Sequence, residues 1–193
     1  MSKVFGSPNY FLTDPSDLNH VELQKYLGCC LDPISDLPDS GQGELTIPPL
    51  QKAEFYRPAA ILVPLLRVQF EWHILMTKRA VHQAHHAGQI SFPGGKVESF
   101  DASPVEAALR EAFEEVQLTP DLVQVVGLLD RLLSPAGFLV QPVVGVVSGE
   151  NALKSLVSHP AEVELIFTLP LKRVVDPNNF RLVRRKTNGR RND

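Results

Sequence analysis

The sequence predicts an α+β sandwich, in which a mixed sheet packs against segregated helices. Three observations lead to this fold class. The chain has 193 residues, 44% hydrophobic and 21% charged, which is ordinary for one globular domain with a full core. Beyond residue 58, short apolar runs of strand length alternate with turns, and one strongly marked helix lies among them. Helices and strands arranged in this way must bury their apolar faces against one another.

The first part of the chain reads as an accessory segment, residues 1–58. Residues 16–28 predict a short helix that Ser16 caps and that ends before Gly28. Prolines and a Ser-Gly-Gln-Gly stretch follow it, which favours an extended connection. The main domain is therefore expected at 59–180, followed by a basic tail at 181–193.

Five apolar runs predict the strands of the domain. Each has the length and the β-branched or aromatic content typical of a strand, and turn residues bound each run. The runs are residues 59–66, 72–78, 122–130, 138–147 and 162–170.

A helix is predicted over 104–116, and its start is unusually well marked. Ser103 is a good N-cap, Pro104 stands at the first helical position, and Glu106 completes a capping box. A stripe of apolar residues about 100° wide is expected to face the core. The stripe consists of Val105, Ala108, Leu109, Ala112 and Val116.

Beside that stripe, Glu111, Glu114 and Glu115 share one face of the helix, because they are spaced i, i+3 and i+4. Neighbouring carboxylates repel one another unless they spread into water or gather around a cation. A solvated helical face is the plainer interpretation of this pattern alone. The glycine-rich turn at 92–95 and the capped helix together favour a metal site.

Mg²⁺ and Mn²⁺ prefer hard oxygen ligands, which clustered carboxylates supply. Such ions neutralise the oxygens of a diphosphate and acidify a bound water. Arg110 is expected to orient Glu111 and keep it ionised as a ligand or base. Gly94 and Gly95 permit backbone conformations that other residues resist, so the Gly95 carbonyl is a further candidate ligand.

This segment resembles the signature of the Nudix hydrolases, which split a nucleoside diphosphate linked to another group. The chain departs from the family pattern with Asp101 in place of Glu, eight instead of seven residues before Arg110, and Gln117 in place of the closing glycine. The resemblance implies an α/β/α sandwich with one catalytic helix. It also implies catalytic roles for Glu111, Glu114 and Arg110, and metal binding by Glu111, Glu114, Glu115 and Gly95. The matching positions are Gly95, Asp101, Arg110, Glu111, Ala112, Glu114, Glu115 and Leu118.

Residues 75–95 resemble the additional signature of the coenzyme A diphosphatase subgroup, which also tolerates the longer spacing. Ala84 stands where that signature has a second arginine. The resemblance implies hydrolysis of coenzyme A or acyl-CoA to 3′,5′-ADP and 4′-phosphopantetheine, with Arg79 binding the substrate. The matching positions are Leu75, Thr77, Arg79, Ala80, Gly88, Phe92, Pro93, Gly94 and Gly95.

Two groups of polar residues outside the box are further candidates. His85 and His86 are expected to donate hydrogen bonds to substrate phosphate, although His82, His85 and His86 also have a spacing compatible with zinc. Glu162 is a candidate for the extra acidic residue that Nudix enzymes often draw from a remote loop. The alternative for Glu162 is an exposed glutamate at a strand end.

Charge and composition exclude some partners. The net charge is −3, and six of the 19 Lys/Arg lie in residues 181–193, so the rest of the chain is acidic and does not suggest a nucleic-acid surface. Cys29 and Cys30 form neither a disulfide framework nor a zinc spacing. With no signal peptide or membrane-length apolar run, a cytoplasmic enzyme with a small-molecule substrate is expected.

Two other functions remain open on the sequence. Ala84 favours a Nudix hydrolase of ADP-ribose, dinucleotides or nucleoside triphosphates, because an arginine contact to phosphate is missing there. The subgroup also implies a further strand with a Trp-Gly turn and a final helix beyond the basic segment. Because the sequence stops before them, a Nudix-like binding module without catalysis is the second alternative.

Overall fold

The computed structural model of the protein describes residues 56–82, 87–149 and 152–179. The predicted helix at 16–28, the basic tail at 181–193 and the candidates His85 and His86 lie outside the described residues. Within these ranges the α+β prediction is confirmed, and all five predicted strands are present.

Eight strands of the described residues form one mixed sheet with the central order β3-β2-β1-β7-β5, while β4, β6 and β8 pair with β1, β7 and β2. The strands are β1 (Arg57–Val68), β2 (Glu71–Arg79), β3 (Ile90–Ser91), β4 (Gly94–Lys96), β5 (Val123–Leu128), β6 (Leu132–Leu133), β7 (Phe138–Val147) and β8 (Val163–Pro170).

Three α-helices accompany the sheet in the described part of the chain. They are α1 (Pro104–Val116), α2 (Ala152–Ser155) and α3 (Leu171–Val175). Short 3-10 turns occur at Pro120–Leu122 and Pro177–Asn179. No described helix combines the length and apolar character needed to cross a bilayer.

Strand β1 organises the sheet because both of its edges are paired. One edge runs parallel to β7, from Arg57 opposite Phe138 to Leu65 opposite Val146. The other edge is divided between two antiparallel partners, with β4 along 59–61 and β2 along 65–68. The partners of β1 therefore change along its length, and residues of both partners border the cleft described below.

The boundaries predicted for α1 are confirmed. The Ser103 hydroxyl accepts a hydrogen bond from the Glu106 amide (3.2 Å), as a capping box requires. The Glu106 carboxylate accepts one from the Ala102 amide (2.6 Å), so the return bond is made one residue before the cap. Gln117 ends the helix in the left-handed region at φ 55°. That conformation favours glycine, which explains why the family pattern has glycine at this position.

The buried face of α1 differs in part from the predicted stripe. Ala108, Ala112 and Val116 are fully buried, as predicted, but so is Ala107, which the helical wheel left out. Val105 and Leu109 are only partly buried against the core. The alanines allow α1 to pack closely on the sheet, where Ala60, Leu62 and Val143 are completely buried.

The opposite face of the sheet carries a second apolar cluster. It contains Val63, Leu65, Trp72, Ile74, Val144 and Val146. Because side chains alternate along a strand, Val63 and Leu65 of β1 face this cluster while Ala60 and Leu62 face α1. The sheet therefore has two buried faces, which fits the predicted sandwich.

Candidate active site

The Pro-Gly-Gly segment brings the backbone of the sheet against α1. The prediction of a turn here is wrong, since Gly94 and Gly95 belong to strand β4, paired with β1. A Cβ at Gly94 would lie 2.4 Å from the Ala60 carbonyl oxygen, and a Cβ at Gly95 would lie 2.5 Å from the Glu111 carboxylate carbon. A side chain at Gly94 would therefore meet the backbone of β1, whereas one at Gly95 would meet the predicted metal ligand Glu111.

The three predicted glutamates share one side of α1 but differ greatly in exposure. The exposed fraction of the side chain is 55% for Glu114, 16% for Glu111 and 3% for Glu115. A carboxylate is almost never fully buried without a partner, because burial removes its hydration. The helix thus carries a gradient from solvent to core.

Arg110 links the acidic residues of the loop and the helix. Its guanidinium makes a paired interaction with Asp101, with Nε to Oδ1 at 2.9 Å and Nη2 to Oδ2 at 3.0 Å. Nη1 donates to Glu111 Oε1 (2.9 Å) and to Glu114 Oε2 (3.1 Å), and Nη2 also donates to the Lys96 carbonyl (3.1 Å). The orienting contact predicted between Arg110 and Glu111 is present, and the hydrogen bond from Arg110 lowers the pKa of Asp101.

Glu115 is the most perturbed acid of the site. Its Oε1 lies 3.7 Å from Arg79 Nη1, and among the described residues no group donates a hydrogen bond to its Oε2. Burial raises its pKa to about 8 and the charges of Glu111 and Glu162 add to this rise, while the Arg79 charge and a backbone hydrogen bond from Gly94 oppose it. An ionised Glu115 therefore needs additional positive charge.

Glu111 and Glu162 complete the acidic group. Burial raises the pKa of Glu111, Arg110 opposes this rise, and the charges of Glu114 and Glu162 reinforce it. Glu162 is half-buried, and its carbonyl accepts a hydrogen bond from the Ala80 amide (2.8 Å), which holds it beside the end of β2. The structure thus places Glu162 near the box, as the hypothesis of an extra acidic residue requires.

By donor type these residues fit a hard divalent cation. The described residues hold no ready group of three His, Cys, Asp or Glu side chains around one point. Arg110 instead binds Glu111 and Glu114, while Glu115 lies against Arg79. However, the buried Glu115 Oε2 has no hydrogen-bond partner among the described residues, and the Glu111 carboxylate lies close against the backbone of Gly95. Both features suit an ion with oxygen ligands.

A cleft of about 1010 Å³ adjoins the acidic group. Gly94 and Gly95 line it, as does Arg79, the residue predicted to bind the substrate. Sequence reasoning missed Arg57 and Phe138, which line the cleft from adjacent strands. Residues 57, 59 and 61 of a strand point to the same face of the sheet. This spacing is the signal that could have placed Arg57 on the face of Ala59 and Ile61.

We expect the buried charge of Glu115 to make stability depend on pH in the absence of divalent ions. Because folding raises its pKa from 4.5 to about 8, the ionised form is penalised in the native state. The penalty is absent below pH 4.5, grows as the pH rises, and is complete above pH 8. Glu115→Gln has no such penalty. Its free energy of unfolding relative to the wild type should therefore rise by roughly 2–4 kcal/mol between pH 4.5 and pH 8.

Urea unfolding of both proteins with a chelator, at several pH values between 5 and 8.5, measures this difference. Burying the glutamine amide of the variant has a cost that does not depend on pH. This cost therefore does not affect the change of the difference with pH. A difference that stays flat or shrinks with rising pH would contradict the assignment.

Comparison with known proteins identifies the family. A family model described as NUDIX domain matches residues 55–186. A Nudix hydrolase NudL of Enterobacter sp. (strain 638), described as uncharacterized, is 45% identical over 117 residues, which are 60% of this chain and 58% of that protein. The NudL of Salmonella paratyphi B is 41% identical over 124 residues, 64% of this chain and 62% of its own. The chain thus spans about three-fifths of the length of these relatives.

Two solved structures show the same fold. A Nudix hydrolase from M. smegmatis, RenU, matches with a TM-score of 0.51 and 19% identity, covering 61% of this chain and 73% of that one. A C. elegans Ap4A hydrolase matches with a TM-score of 0.50 and 16% identity, covering 62% and 83%.

Proposed function

The chain belongs to the Nudix family, and from this premise we propose that it is a hydrolase of the diphosphate bond of coenzyme A or acyl-CoA. The products are 3′,5′-ADP and 4′-phosphopantetheine or its acyl form. The observation that supports this most directly is the junction of two oppositely charged regions. Arg79, which lines the cleft together with Arg57 and Lys96, lies 3.7 Å from Glu115 on the acidic face of α1, so cationic and acidic side chains meet there.

In this proposal Glu111, Glu114, Glu115 and the Gly95 carbonyl hold Mg²⁺ or Mn²⁺. A divalent ion held there would neutralise phosphate oxygens and lower the pKa of a water. Two observations support this ligand set, since a cation would offset the cost of a buried charge: Glu115 Oε2 has no hydrogen-bond partner in the described ranges, and the pKa of Glu115 is raised.

The remaining groups act through position and charge. Arg110 fixes Glu111 through Oε1, which leaves Oε2 as the candidate acceptor of a proton. The raised pKa of Glu111 favours this role, because a base works best when its pKa approaches the operating pH. Arg79 lies between Glu115 and the cleft, where it is proposed to bind phosphate as charge develops.

The substrate assignment rests on the signature at 75–95 and on the cleft. A volume of about 1010 Å³ is at the upper end of the range for small-molecule sites, and suits a nucleotide with a long substituent. The RenU and Ap4A hydrolase structures are only 19% and 16% identical to this chain, so they support its fold but not the identity of its substrate.

We expect incubation of the purified protein with coenzyme A and Mn²⁺ or Mg²⁺ to yield 3′,5′-ADP and 4′-phosphopantetheine. Mass spectrometry of the products identifies which bond breaks, and a parallel reaction with chelator tests the requirement for metal. Coenzyme A left intact beside hydrolysed ADP-ribose would overturn the substrate assignment. Ala84 would then favour the alternative substrates, namely ADP-ribose, dinucleotides or nucleoside triphosphates.

The binding module without catalysis predicts a different result in the same assay. No diphosphate in a panel would be hydrolysed with either metal, while nucleotide binding would still be measurable by calorimetry. Turnover of any member of the panel argues against the module.

A further inference from the structure

Arg57 and Phe138 form a cationic and aromatic surface at the edge of the cleft. They lie opposite each other in the parallel pair of β1 and β7. The guanidinium carbon of Arg57 lies 4.1 Å from the centre of the Phe138 ring, which is a close cation–π contact. Both residues line the cleft that contains Gly95, and neither belongs to the family signature at the glutamates.

Hydrogen bonds hold Arg57 in place at both its guanidinium and its backbone. Its Nη2 donates to the Ala136 carbonyl (3.1 Å), and its backbone amide donates to the Gly137 carbonyl (3.1 Å). The turn that supplies these carbonyls is itself closed, because the Phe138 amide donates to the Ser134 hydroxyl (3.1 Å). An arginine ordered before binding loses less entropy when it meets a ligand.

The positive charge of Arg57 is not neutralised by a described carboxylate. Arg57 is exposed, and within the described ranges no carboxylate forms a salt bridge with it. None of the described residues that line the cleft is acidic, whereas Arg79 and Lys96 lie there with it. A guanidinium has five N–H donors, so several remain for a ligand after the bond to Ala136. The arrangement suits an anion with several oxygens.

We propose that Arg57, held against Phe138, binds the 3′-phosphate of the nucleotide half of the substrate. The inference rests on the proposed function, because it deepens the assignment of coenzyme A. Arg57 would distinguish coenzyme A from diphosphates whose ribose lacks a phosphate, such as dephospho-coenzyme A and ADP-ribose. It would be a specificity-determining residue outside the catalytic helix.

The position of Arg57 relative to the catalytic group agrees with this role. Gly95 pairs with Ala60, three residues along β1 from Arg57, which corresponds to about 10 Å. A diphosphate at Gly95 and a phosphate at Arg57 would thus be separated by a span comparable to a ribose and its two phosphate linkages. Lys96, opposite Ala59, lies between them.

The other half of the substrate fits this surface less well. The pantetheine arm is neutral and has no aromatic ring, so it would leave the guanidinium without an anionic partner. A phosphate compensates the charge of Arg57 directly. The purine attached to the same ribose can also stack on an arginine or phenylalanine plane.

The test compares two substrates and three variants in the presence of Mn²⁺. Arg57→Met should lower kcat/KM for coenzyme A by about tenfold to a hundredfold, and that for dephospho-coenzyme A by less than about threefold. Arg57→Lys should fall between, since it keeps the charge but loses the planar fork. The matched control is Arg67→Met, since Arg67 lies on β1, bonds the Phe70 carbonyl and contacts the Trp72 ring outside the cleft.

Equal losses on both substrates in Arg57→Met would overturn the inference, as would the same selectivity in Arg67→Met. Calorimetry without metal measures nucleotide binding directly and does not depend on turnover. The wild type should bind 3′,5′-ADP more tightly than 5′-AMP, and Arg57→Met should remove that preference.

This binding measurement separates the two proposals. If coenzyme A is not hydrolysed but the preference for 3′,5′-ADP exists and depends on Arg57, the proposed function fails and the phosphate site stands. If coenzyme A is hydrolysed and Arg57→Met leaves the preference intact, the phosphate site is refuted and the proposed function stands.

Discussion

Glu115→Gln should reduce kcat on the diphosphate substrate by at least about a hundredfold while the protein remains folded. Glutamine has the same shape as glutamate, so the 3% exposed site need not repack. It removes the negative charge that a divalent ion would require. Burial raises the pKa of Glu115, so a neutral side chain avoids the cost of a buried charge at this position. The measurement is kcat at saturating Mn²⁺, with circular dichroism to establish folding.

Glu106→Gln is the matched control for this loss. It makes the same chemical change on the same helix, and glutamine can still accept the capping bond from the Ala102 amide. Its kcat should stay within about twofold of the wild type, as for a surface substitution remote from the site. Wild-type activity in Glu115→Gln would show that the acidic face of α1 is not the metal site.

The local parts of this fold were predictable because their signals are local. A serine cap, a proline at the first turn and a capping glutamate fix where α1 begins, and the structure confirms both of its ends. The apolar run at 138–147 likewise matches β7 residue for residue. Propensity and capping act within a few residues of the chain, so a single sequence contains them.

The pairing of distant segments was harder to predict from the sequence. Gly94 and Gly95 look like a turn in the sequence, yet they form β4 because β1 offers them an edge. Ala107 was left off the buried stripe because the wheel assumes one apolar face. In the fold, however, α1 packs closely enough to bury it completely. Tertiary contacts decided both outcomes.

In the site too, local features were predictable from the sequence, and features that depend on distant segments were not. The spacing of Glu111, Glu114 and Glu115 predicts a shared helical side but not the order of their burial. That order depends on the end of β2, where Arg79 lies 3.7 Å from Glu115, 36 residues earlier in the chain. Arg57 was missed because its partner Phe138 comes from a strand far along the sequence.

Gly95→Ala should lower kcat by about a hundredfold with little loss of stability. A methyl group there would lie 2.5 Å from the Glu111 carboxylate, which is closer than a van der Waals contact. The carboxylate is at the end of a flexible side chain, so it can move away, but it then leaves the bond from Arg110 Nη1. The loss should therefore appear in turnover and metal affinity, measured by titrating activity with Mn²⁺.

Gly94→Ala supplies the contrast, because the same methyl group meets the backbone there. Its Cβ would lie 2.4 Å from the Ala60 carbonyl oxygen and 2.7 Å from the Ile61 Cα, neither of which can rotate away. We expect this variant to lose about 1–3 kcal/mol of unfolding free energy, measured by urea denaturation. If the two variants lost stability equally, the effect of Gly95→Ala would be a general disturbance of β4. A catalytic loss confined to Gly95→Ala would instead tie Glu111 to the reaction, because its carboxylate is the group nearest to the added methyl.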